Sequence, residues 1–274
     1  MLKEIKMIIG NLKRKIYQLD GFTEEELVFM LENIGHENPE IRDELIYGLF
    51  CEGFAKELFS IEQANTVIQY LLQNNLLLKD MDKIAISSTL VRSFSALTLA
   101  LIIYYDDQNA SKYYRILTAE ERDRIFQSGA EHIANERDAT GYLAPYGWVH
   151  TIAHSSELLL AIAGHSLVNE KITEDILNGI YKMFIKQTEV FRDREEKRIG
   201  LVLIEMLEKD RLSITGFISW INQFAEYYET SKLKEVKDFR SKENVANMLN
   251  FIWLLIGEEE VREGKEAVKG FNTF

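Results

Sequence analysis

Two prolines in 274 residues leave almost nothing in this chain to interrupt a helix. The usual share is about 5%, and proline is the residue that deletes a helical hydrogen bond and clashes with the preceding turn. Helix start signals recur instead. Thr23 with Glu26, Ser60 with Gln63 and Thr118 with Glu121 each have the capping-box spacing, hydroxyl to acid or amide. Asn38-Pro39 sets an N-cap ahead of proline at the one helical position where a missing N–H costs nothing. Asp80, Thr173, Ser213 and Ser241 read as further starts. Between them apolar residues keep helical spacing, as in Ile199, Leu203, Met206 and Leu207, with Glu195, Glu196 and Lys197 expected on the solvated side. No stretch alternates with period two, and Asp20-Gly21 reads as a helix C-cap rather than a hairpin turn.

The expected fold is therefore all-α. Successive helix pairs take roughly 40 residues, the length of HEAT-type repeats, which predicts an α/α superhelix of helical hairpins of the HEAT/ARM kind. A compact α/α bundle or toroid is the alternative. No Gly/Ser-rich or proline-rich linker divides the chain, so residues 1–274 read as one domain. A net charge of −12 and a pI near 5.1 argue against nucleic acid or an anionic membrane as partner, since both demand a basic face. The cluster Lys13, Arg14, Lys15 is too short to reverse that. One cysteine, Cys51, excludes an internal disulfide and fits a reducing compartment. Its apolar neighbours Leu49, Phe50 and Phe54 favour an inert thiol over a nucleophile. No signal-peptide pattern is present, and the apolar run Leu97 to Tyr105 is too short to span a bilayer. A cytoplasmic location is expected.

The segment from Gly141 to Gly164 departs from generic helix. A turn containing Pro145 opens a helix that is apolar almost all round, on which His150, His154 and Glu157 stand at i, i+4 and i+7. At 100° per residue the three side chains fall within about 60° of one another. Polar groups on so apolar a helix need partners. The spacing suits a structural polar network, a divalent metal such as zinc held by His150, His154 and Glu157, or a metal-free ligand or acid–base site. Thr151 follows the first histidine, so the metalloprotease motif is absent. Asp138, in the preceding loop, is a further acid within reach. Tyr146 and Trp148 stand at the mouth of the helix, where they pack the turn or stack a ligand. Gly141 and Gly147 bracket the loop. Arg192-Asp193-Arg194-Glu195-Glu196-Lys197-Arg198 reads as a solvated helix N-terminus, its acids favoured by the macrodipole. Arg42-Asp43-Glu44 reads similarly, or as the Arg–Asp pair that ties one HEAT-like hairpin to the next. No phosphate-binding glycine loop, serine nucleophile elbow or paired-cysteine motif occurs.

At these residues the chain resembles a bacterial family known as domain of unknown function 2785. The resemblance is carried by Asp138, Gly147, Trp148, His150, Ala153, His154 and Glu157, in that order. Glu157 stands where the family's usual acid is Asp, one methylene shorter. The likeness continues through Arg42-Asp43-Glu44-Leu45, Glu196-Lys197-Arg198 and the surroundings of Asn247, with Asn250 where the family tends to carry a basic residue. It implies an α-helical repeat fold and a common site, and no activity.

Two functions compete. The first is a helical-repeat binding or interaction module for a protein, peptide or small molecule, with Tyr146, Trp148, His150 and His154 as ligand contacts. The second is a metal-dependent or acid–base enzyme of hydrolase type, acting on a small molecule through His150, His154, Glu157 and Asp138.

Overall fold

The computed structural model describes residues 2–18, 20–231 and 235–255. The fold is all-α. Among the described residues the helices are α1 (Leu2–Gln18), α2 (Glu24–Glu32), α3 (Gly48–Ala55), α4 (Ile61–Gln73), α5 (Ile86–Asp106), α6 (Ala119–Asn135), α7 (Thr151–Gly164), α8 (Glu170–Lys186), α9 (Glu195–Glu208), α10 (Ile214–Ser231) and α11 (Val236–Leu255). A π-helical segment, Glu40–Tyr47, runs directly into α3, and a 3-10 turn covers Leu76–Leu78. Among the described residues the only strand pairing is the ribbon of β1 (Tyr142–Leu143) and β2 (Gly147–Trp148), two antiparallel residues on each side.

The three capping boxes form as their spacing requires, at Thr23, Ser60 and Thr118. Asn38 accepts from the Glu40 amide at 2.9 Å, and Ser213 from that of Gly216 at 3.0 Å. Three expected starts are corrected. Asp80 precedes α5 by several residues and takes the Ser88 hydroxyl at 2.7 Å. Asn169 caps α8, leaving Thr173 in its first turn. Ser241 lies inside α11, where its hydroxyl reaches the Phe184 carbonyl at 2.8 Å. In each case a tertiary or neighbouring partner satisfies a side chain that would otherwise serve as a cap.

Alternate helices pack side by side: α5 on α7, α7 on α9, α9 on α11, and α6 on α8. Helix α10 covers α8, with the Trp220 indole N–H on the Leu177 carbonyl at 3.1 Å and Phe224 against Tyr181 and Phe184. This alternation is consistent with stacked hairpins. Helix α5 is long and apolar enough to cross a membrane, but most of it is buried in the fold. It also carries Arg92 and Asp106, both buried and ion-paired, so its apolar length is spent on the core. Cys51 is half-buried, and burial pushes its thiol up, away from the reactive thiolate.

Candidate functional site

His150 does not lie in the helix that follows it. Helix α7 begins at Thr151, and His150 is its N-cap in the left-handed region, φ 45° and ψ 33°. Its carbonyl still accepts the His154 amide at 2.8 Å, but the ring leaves the expected stripe. That ring stacks on Trp148, centroids 4.5 Å apart, and meets His154 edge-on at 5.8 Å. A non-glycine residue there is uncommon and costs about 1 kcal/mol or more, so the surroundings must hold it. They do. The ribbon pairs Tyr142 with Trp148 and Leu143 with Gly147, and Gly147 at φ +73° lies against Pro39, where a Cβ has no room. Arg42, fully buried, donates to the carbonyls of Tyr146 at 2.7 Å, Trp148 at 3.2 Å and His36 at 2.9 Å. Its guanidinium also covers the Phe94 ring at 4.7 Å.

His154 is fixed by Ser93. The serine hydroxyl has one proton and donates it to the Val149 carbonyl, so the 2.7 Å contact with His154 Nδ1 has the imidazole N–H donating. The lone pair is thereby on Nε2. Burial, with His150 and Arg198 adding to it, pushes the His154 pKa down to about 3, so the ring is neutral at physiological pH. It is packed edge-on to Phe94 at 5.1 Å.

The remaining expected members separate. Glu157 pairs with Arg198 and does not join the histidines. Asp138 is buried elsewhere, accepting the Thr89 hydroxyl at 2.9 Å and the Thr140 amide at 3.0 Å. It adjoins a network in which Arg92 grips both Glu136 oxygens, at 2.7 and 2.9 Å, and His132 approaches the same carboxylate at 3.3 Å. Tyr146 contributes its carbonyl to Arg42, whereas Trp148 is 44% exposed and presents its ring.

What joins His150 comes from the segment expected to be a solvated helix start. Helix α9 packs on α7, which encloses its first turn: Glu195 is 1% exposed and Glu196 9%. Glu195 Oε1 lies 3.5 Å from His150 Nε2, and neither atom has a hydrogen-bond partner. The other oxygen, Oε2, takes the Asp193 amide at 3.0 Å. Asp193 Oδ2 in turn accepts the Tyr142 amide at 3.0 Å, and Gly141 has no room for a Cβ because this carboxylate fills the space. Burial raises the Glu195 pKa, with Asp193 and Glu196 adding to it, and burial lowers that of His150 against the pull of Asp193. Local spacing gives no hint of this meeting. The only available signal was dense charge at the head of an otherwise apolar-faced helix.

These groups stand in the wall of a groove of about 590 Å³ lined by Trp148, His150, His154, Phe94, Tyr47, Arg192, Arg194 and Arg198, among others. A second cavity, about 670 Å³, continues past His154 and shares Tyr47, Leu97 and Arg198 with the first. Arg192 and Arg194 are exposed and make no ion pair among the described residues. Arg194 sits in the left-handed region, φ 69°, as the N-cap of α9.

Fold and site together define an all-α protein with a histidine–carboxylate centre in an arginine-edged groove. The chain belongs to the family described as protein of unknown function (DUF2785), whose match covers residues 77–255. The matched part holds α5 to α11, the ribbon, both histidines and all three arginines, and leaves Arg42 outside. No curated protein and no solved structure matched the chain.

Proposed function

We propose that the protein is a binding module, cytoplasmic in location, that holds a small molecule bearing a phosphate or carboxylate group in the groove between the ribbon, α7 and α9. One observation carries this reading: Arg192 and Arg194 edge the groove without a carboxylate partner among the described residues, in a chain of net charge −12. In a chain with an excess of acids, two unpaired guanidiniums beside one cavity are suited to an anion brought from outside, which arginine takes in bidentate fashion. Trp148 offers an exposed aromatic face for a planar part of the ligand. His154, neutral with its lone pair on Nε2, accepts a hydrogen bond from it.

An enzymatic reading has one observation in its favour, the facing pair of His150 and Glu195, in which burial lowers the imidazole pKa and raises that of the carboxyl. It would run through His150, His154 and Glu195, and not through Asp138. Native mass spectrometry of the untagged chain, purified from cells at low salt, tests the binding reading. An anionic species below about 1 kDa is expected on wild type and not on an Arg192→Ala/Arg194→Ala variant. Equal loading of both proteins would count against it.

A further inference from the structure

We propose that His150, Asp193 and Glu195 form a site for one divalent transition-metal ion, zinc or manganese, in the wall of the groove. One ligand atom from each of the three lies within 4.8 Å of the other two. Around an ion with donor distances of about 2.1–2.4 Å, two donors stand at most about 4.2–4.8 Å apart, so the side chains need only small adjustments to close on it. The donors are of the right kind: an imidazole favours zinc over calcium and magnesium, and two carboxylates suit manganese as well as zinc and supply the compensating charge. Glu195 is the second, independent observation. It is 1% exposed, and its Oε1 is aimed at His150 Nε2 with no hydrogen bond to satisfy either atom. Two buried polar atoms left facing each other cost free energy that an ion between them would recover.

The shell around the three ligands is also built. Asp193 is held by the Tyr142 amide and by Gly141, and Glu195 is oriented by the Asp193 amide. Trp148 stacks on the His150 ring and sets its plane. Arg198 and the positive end of α9 oppose a cation here, and the paired carboxylates outweigh them at shorter range. Three protein ligands leave coordination positions open, and His150 and Asp193 both line the groove, so the open side faces it.

The site stands independently of the anion-binding reading, and different residues test it. Untagged full-length protein is stripped with chelator and titrated calorimetrically with zinc and with manganese chloride. Wild type is expected to bind one equivalent of at least one ion. His150→Ala and Glu195→Gln are expected to bind it at least tenfold more weakly, and Arg192→Ala/Arg194→Ala, which removes two positive charges beside Asp193, at least as tightly as wild type. Should Glu195→Gln fail to fold by circular dichroism, Asp193→Asn, at a half-buried position, gives the same readout. No stoichiometric binding by wild type overturns the proposal. So does binding by Asp193→Asn and His150→Ala as tight as that of wild type.

Discussion

Arg42 shows how much of the site depends on one side chain distant in sequence. It is fully buried, ion-paired to Asp43 at 2.7 Å, and it holds the carbonyls of Tyr146 and Trp148 from a helix more than a hundred positions earlier. Removing it strands the half-buried Asp43 carboxylate and those carbonyls together. Arg42→Ala is expected to cost about 3–5 kcal/mol, a melting-temperature drop on the order of 10 °C for a chain of this length. Arg42→Lys should not restore it, because an ammonium lacks the planar fork that serves several acceptors at once. Thermal unfolding checks both, and a loss below about 1 kcal/mol for Arg42→Ala would contradict this role. His154 is less critical to stability. Ser93 keeps its Val149 acceptor when the ring is gone, so His154→Ala should cost only about 1–2 kcal/mol, read from the same unfolding curves.

At the scale of elements, the short ribbon and the head of α9 are one unit. Gly141 is where they touch, since a Cβ there meets the Asp193 carboxylate. Gly141→Ala should therefore displace Asp193, at a cost of about 1–3 kcal/mol in overpacking, and weaken metal binding at least tenfold. Unchanged calorimetric affinity would show that Asp193 is not held this way. The same two elements mark where the sequence was not legible, in contrast to the helix starts. Capping boxes at Thr23, Ser60 and Thr118 were readable because their chemistry is local, hydroxyl to amide within one turn. The meeting of His150 with His154 was readable from their spacing on an apolar segment. Their geometry was not: periodicity presumes helical backbone, and His150 is left-handed, held so by Arg42 and the ribbon. Asp193 and Glu195 were read as solvent-facing because helix-start acids usually are. Only the packing of α9 on α7, more than forty residues away in sequence, buries Glu195.

Over the whole molecule, buried ion pairs tie the helices together and predict acid sensitivity in a defined window. Burial opposes the charge on Glu136, but the close approach of His132 and the hydrogen bonds from Arg92 outweigh it and hold its pKa well below the usual carboxylate range. A pKa lower in the folded than in the unfolded chain gives stability that is complete above the unfolded value, near 4.3, and lost as pH falls below it. Asp106 acts in the same sense: burial is outweighed by hydrogen bonds from His165 and Arg122. Melting temperature should thus be level with respect to these groups above about pH 5 and fall steeply below it. Glu136→Gln should lower the plateau and flatten the fall, and an unaltered slope would remove Glu136 from the explanation. The fold's central consequence is the arginine-edged groove, and the melting temperature of wild type against Arg192→Ala/Arg194→Ala in pyrophosphate and in citrate tests it most directly. An anion present at a hundred times its Kd adds about 2.7 kcal/mol, which at roughly 2–4 °C per kcal/mol is a rise of about 5–10 °C. Such a rise in wild type, absent in the double variant, is the predicted result. No rise in wild type, or an equal rise in both proteins, would contradict an anion-binding groove.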